Sequence, residues 1–90
     1  MIRSKAFLLR NVAGSWVLIP VGAAAKRFPG MITLNESGRF LWEQLETEQT
    51  EQTLTDALVE RYEVTADQAV TDVHKFLEPL LKIKAVKQET

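Results

Sequence analysis

Ninety residues make one domain, read as spanning 1–90, and a chain this short buries only about 60 to 65% of its unfolded surface, which excludes a large active-site scaffold. Apolar residues at 46% and charged residues at 26% exclude a disordered tail or a fibre, and with no cysteine there is no disulfide framework, thiolate metal site or cysteine nucleophile. The net charge of −1 conceals a split, because Arg3, Lys5, Arg10, Lys26 and Arg27 occupy residues 1–35 without a single acid, while the remainder holds six bases and all twelve acids. An acidic partner is drawn to the N-terminal half, and the phosphate-neutralising excess of a nucleic-acid binder is missing.

Arg3 and Lys5 precede an apolar stretch, as in a signal peptide. Its longest uninterrupted run, residues 16–25, is about half the roughly 20 residues of a membrane span and contains Pro20 and Gly22. A strand pair explains the segment better, with a cytoplasmic location and no membrane partner. Residues 6–12 and 15–19 are β-rich and flank Ala13-Gly14, where Gly14 supplies the positive φ of a tight hairpin turn. Residues 21–29 read as a loop and 31–34 as a short third strand.

Asn35 is a good N-cap for a helix beginning at Glu36, its side chain able to accept from the free N–H of Ser37 or Gly38. Phe40, Leu41, Trp42 and Leu45 give that helix an apolar face, which ends before a polar linker over residues 46–52. Thr53 is placed to cap a second helix through Tyr62. Thr65 and Gln68 have capping-box spacing for a third helix, and Ala66, Ala69, Val70, Val73, Phe76, Leu77, Leu80 and Leu81 give it a stripe broad enough for two surfaces. Pro79 predicts a kink near residues 75–78 or an early end. The order is three strands, then three helices, an α+β chain.

Little here carries catalysis. His74 is the single histidine, without a second histidine or a cysteine to share a transition metal, and reads as an ordinary helix-surface residue. Ser15 and Ser37 lack a histidine within local reach, and Gly22, Gly30 and Gly38 are too scattered to cradle a phosphate. The acids from Glu43 to Glu63 line a solvated face and its linker, and Trp16 and Trp42 are core fillers. The sequence therefore assigns no catalytic residue, no metal and no cofactor. What remains is a short strand at an open sheet edge and a helix with more apolar width than one contact needs, which together frame a peptide groove. The competing reading is a strand blunted by shortness and a helix wholly used in the core.

Ile32-Thr33-Leu34-Asn35-Glu36-Ser37-Gly38, then Phe40-Leu41-Trp42, and later Asp72-Val73-His74-Lys75-Phe76-Leu77 resemble the PqqD family of small RiPP recognition elements, over about residues 7–86. The resemblance implies a winged-helix-like arrangement of a three-stranded antiparallel sheet and three helices, with no catalysis of its own. It implies a peptide chaperone, which binds the leader segment of a ribosomally made precursor peptide and presents it to a modifying enzyme, commonly a radical SAM maturase. Carried onto this chain, the leader lies beside Met31, Ile32, Thr33 and Leu34 and against Val70, Val73, His74 and Leu77. The chain departs from the family pattern at residues 46–50, where a glycine-containing turn is usual, and at Lys84, where a helix-ending glycine is common. A winged-helix DNA-binding protein is the main alternative, disfavoured by Asp67, Asp72 and Glu78 on the recognition helix, and a protein–protein scaffold without a leader is the other.

Overall fold

The computed structural model describes residues 1–28 and 30–88. In chain order the elements are β1 (Ile2–Arg3), β2 (Phe7–Val12), β3 (Ser15–Pro20), α1 (Ala23–Arg27), β4 (Ile32–Leu34), α2 (Glu36–Gln44), α3 (Glu51–Tyr62), α4 (Ala66–Lys82) and β5 (Val86–Lys87). Strands β2, β3 and β4 form the expected three-stranded antiparallel sheet in that order, and the three main helices follow it. Ala13 and Gly14 both take positive φ, 52° and 86°, as a two-residue turn matched to the right-handed strand twist requires.

The structure departs from the sequence reading at several elements. The expected loop contains the short helix α1, because three alanines followed by Lys26 and Arg27 at its C-terminal end suit a helical turn; Pro29, the last residue of that loop, lies outside the described residues. A second sheet pairs the two ends of the chain, Ile2 with Lys87 and Arg3 with Val86. Such two-residue strands are too short for any periodicity to reveal. Helix α3 begins at Glu51 rather than after Thr53: the Thr50 hydroxyl accepts from the Thr53 N–H at 3.1 Å, and the Thr53 hydroxyl accepts in return from the Thr50 N–H at 2.8 Å. This reciprocal cap satisfies two donors and shortens the linker.

At α4 only half of the expected capping box forms. Thr65 accepts from the Gln68 N–H at 3.1 Å, but the Gln68 amide turns forward to Asp72 at 2.8 Å. The helix runs through Pro79 to Lys82, so of the two outcomes expected at the proline, a kink or an early end, the early end does not occur. It closes with the Lys84 N–H donating to the Leu81 carbonyl and the Ala85 N–H to Leu80, the paired bonds of a Schellman motif, with Lys84 itself at φ 63°.

The core is one cluster in which Leu18 and Leu34 from the sheet meet Leu41, Trp42 and Leu45 of α2, Leu54 and Leu58 of α3, and Val73, Leu77 and Leu80 of α4. No buried side-chain polar atom lacks a partner among the described residues. No helix among them is long and apolar enough to cross a membrane, and no group of histidine and carboxylate side chains there could hold a metal ion.

Candidate functional site: the groove between the sheet edge and the last helix

The hairpin fixes which backbone groups are free. A two-residue loop makes its flanking residues, Val12 and Ser15, a hydrogen-bonded pair, and alternation extends the series to Arg10 with Val17 and Leu8 with Ile19. The next pair confirms the phase, since the Val21 N–H donates to the Ala6 carbonyl at 2.8 Å. Trp16 and Leu18 therefore turn their backbone groups toward β4, where their partners are Leu34 and Ile32. Thr33, between those two, directs its N–H and C=O away from the sheet. Among the described residues no strand lies beyond β4.

The opposite edge of the sheet is guarded. By the same alternation Phe7, Leu9 and Asn11 face outward from β2, and there the Arg10 guanidinium donates to the Leu9 carbonyl at 3.0 Å while the Phe7 N–H approaches the Ser4 carbonyl at 3.5 Å. A charged side chain folded over an edge carbonyl is a recognised protection against strand pairing. Among the described residues the edge at β4 carries no such contact.

Beside that edge lies a cleft of about 530 Å³. Ile32, Thr33 and Leu34 form one wall, and Asp72, Lys75, Phe76, Pro79 and Leu80 of α4 form the other, with Ser37, Gly38 and Leu41 of α2 beneath. Asn35 joins strand to helix tightly: its side-chain oxygen accepts from the Gly38 N–H at 2.8 Å and from the Ser37 hydroxyl at 3.2 Å. A side chain at Gly38 would put its Cβ 3.0 Å from that oxygen and 3.4 Å from the Leu34 Cβ, so glycine is what lets α2 start flush against the strand.

A charged network braces this corner from outside the cleft. Glu36 accepts from Arg39 and, at 3.2 Å, from the Tyr62 hydroxyl, and the Arg39 guanidinium also reaches Glu43 at 2.8 Å while lying 5.1 Å over the Trp16 ring. The hydrogen bond from Arg39 holds the Glu36 carboxyl below its ordinary pKa, and burial followed by the neighbouring Glu36 charge pushes the Tyr62 phenol up. The sheet, α2 and α3 are thus tied together behind the cleft.

Of the residues singled out from the sequence, Ile32, Thr33 and Leu34 line the cleft, and Met31 stands exposed at the start of the edge. The four expected on the helix do not line it. Val73 and Leu77 are fully buried in the core, Val70 is 44% exposed elsewhere on the helix, and His74 is exposed with its Nε2 3.3 Å from Glu51 of α3. The helix presents instead the neighbouring face, Asp72, Lys75, Phe76 and Pro79, at the spacings of three, four and seven that share one side of a helix. The breadth of the apolar stripe carried this signal, since Phe76 lies beyond what the core contact of Val73 and Leu77 consumes.

Comparison with curated protein sequences gives no match. Among solved structures the chain is similar in fold to TbiB1 in complex with the TbiA(beta) leader peptide, at 20% sequence identity and a TM-score of 0.75 over 100% of this chain and 99% of that one. The profile of the coenzyme PQQ synthesis protein D family matches residues 15–86, from the second strand of the hairpin to the last strand. This chain belongs to the PqqD family.

Proposed function

We propose that this protein is a RiPP recognition element that binds the leader segment of a ribosomally made precursor peptide by strand addition at β4 and presents it to a modifying enzyme, a radical SAM maturase. The carrying observation is the unguarded edge: the outward N–H and C=O of Thr33 border a cleft with Leu41 beneath and Phe76 and Leu80 opposite, whereas at the other edge of the sheet the Arg10 guanidinium covers the Leu9 carbonyl. An extended peptide laid along β4 gains main-chain hydrogen bonds from the strand, and its alternate side chains enter the cleft toward Phe76 and Leu80. The solved TbiB1 structure of the same fold is a complex with a leader peptide, which supports this use of the fold.

Backbone bonds at about 1 kcal/mol net each and one or two apolar side chains at about 1.5 to 3 kcal/mol must exceed about 2 to 5 kcal/mol of leader ordering. The whole chain acts as one peptide-binding domain in the cytoplasm, without a catalytic residue, cofactor or metal of its own. The α4 wall of the site is Asp72, Lys75, Phe76 and Pro79 in place of Val70, Val73, His74 and Leu77. Calorimetric titration with the leader of a precursor encoded beside this chain tests the reading. Saturable one-to-one binding without turnover is expected, and failure of that leader to bind at high micromolar concentration overturns it.

A further inference from the structure

We infer that the leader sets a neutral hydrogen-bond donor, an amide or hydroxyl side chain, against the backbone carbonyl of Lys75. This rests on the leader-binding reading above and concerns what the cleft selects within a leader. In a regular helix the Lys75 carbonyl accepts from the N–H four residues on, but that residue is Pro79, which has none. The helix does not break in response: it continues to Lys82, and the Pro79 carbonyl still accepts from the Ile83 N–H at 3.3 Å. One acceptor is therefore deprived of its helical donor in a helix that is otherwise complete.

Its position gives the missing bond a use. Lys75 and Pro79 both line the cleft, together with Phe76 and Leu80. Residues four apart stack on one helix face, and the carbonyl of the first points along the axis toward the second, so the orphaned oxygen lies on the cleft side. Water serves it while the cleft is open. A strand added at β4 covers the cleft, and an apolar side chain there would leave a covered carbonyl unpaired. The donor is neutral because the Lys75 ammonium, which forms no ion pair among the described residues, stands on the same rim and repels a cation. The nearby Asp72 carboxylate accepts from the Gln68 amide at 2.8 Å and keeps its charge, so Asp72 and Lys75 give the rim one charge of each sign and no surplus anion to compensate a covered cation.

The test is a coupling measurement. Synthetic leader peptides of the precursor encoded beside this chain are titrated as the parent sequence and as variants in which each Asn, Gln, Ser or Thr is singly replaced by Leu, Met, Ala or Val. Each is bound to the native protein, to Pro79→Ala, which restores the helical donor, and to Lys75→Met, which keeps the carbonyl and removes the ammonium. Pro79→Ala is expected to melt at a higher temperature yet bind the parent leader about three- to tenfold more weakly, the worth of one net hydrogen bond. One leader replacement should weaken binding to the native protein and to Lys75→Met by the same factor and cost nothing further against Pro79→Ala. Unchanged leader affinity in a stabilised Pro79→Ala, or full additivity of every leader replacement with it, overturns the inference while leader binding itself stands. Failure of the native protein to bind the parent leader overturns the functional reading and this inference together.

Discussion

Proline at Thr33 separates binding from folding more sharply than any other single change. The Thr33 N–H faces away from β3, so its loss breaks no ladder bond in the free protein, and Ile32 before it is already extended, as a residue preceding proline must be. In the complex, Thr33→Pro removes one donor and leaves the leader carbonyl opposite it covered and unpaired, a cost of about 1 to 3 kcal/mol or about 5- to 150-fold in Kd. The ring carbon standing where the hydrogen was also blocks close approach, which places the expected effect in the upper half of that range. Proline at Ile32 does the reverse: it removes a bond to Leu18 within a strand of three residues. That change costs about 1 to 3 kcal/mol of folding stability, or roughly 4 to 24 °C in Tm. Circular dichroism melts and calorimetric leader titrations on both variants provide the assay. A Thr33→Pro protein that melts and binds like the native one refutes strand addition at β4, and an Ile32→Pro protein of native stability refutes the phase assigned from the hairpin.

Leu77→Ala should cost about 2 to 5 kcal/mol of stability in a denaturant melt because it empties part of the core, whereas Phe76→Ala, one residue earlier on the cleft wall, should lose less stability but at least about tenfold in leader affinity. His74→Ala should leave leader binding unchanged and alter stability by no more than about 1 kcal/mol, since its contact with Glu51 is exposed at both ends. Lys84→Gly should raise stability by about 1 kcal/mol, read as a higher denaturation midpoint, because glycine takes the positive φ of that cap without strain. Stability from the neutral Tyr62 hydroxyl, whose pKa is raised in the fold, should be present below about pH 10 and be lost as pH rises beyond it; that from Glu36, whose pKa is lowered, should be present above about pH 4.3 and be lost as pH falls. Melts across pH should show the alkaline loss reduced in Tyr62→Phe and the acid loss reduced in Glu36→Gln.

What the sequence disclosed followed from local chemistry. Ala13-Gly14, the Asn35 cap and the 3.6-residue period of α4 each act within a few residues, and each appears as expected. The edge strand at β4 was legible for the same reason. The cleft face of α4 was not, because each residue turns a helix by about 100°, so an error of one residue moves the whole wall. Val73 and Leu77 came from the family resemblance, but their apolar side chains sit in the core, so the cleft is lined by Phe76 and by polar neighbours that no period marks. The capping of α3 by Thr50 rather than Thr53 is a subtler case, since both threonines take part and only geometry distinguishes the cap from its partner. Lys84 hid a helix terminus that a glycine would have announced.

The pairing of β1 with β5 orders events in time as well as space. Its partners stand at nearly opposite ends of the described chain, so their bonds close the largest strand-paired loop among the described residues and contribute little until the intervening elements have condensed. During synthesis the first strand must wait for the last one to emerge. Meanwhile the segment around it docks on the α2–α3 connection, where the Arg3 N–H donates to Leu45 and the Gln49 N–H to Met1. Those contacts use residues translated much earlier than Val86, so the N-terminal segment can be held in place before its strand partner arrives. The hairpin and β4 pair with neither of those short strands, so the β4 edge can be assembled while the clasp between β1 and β5 is still open.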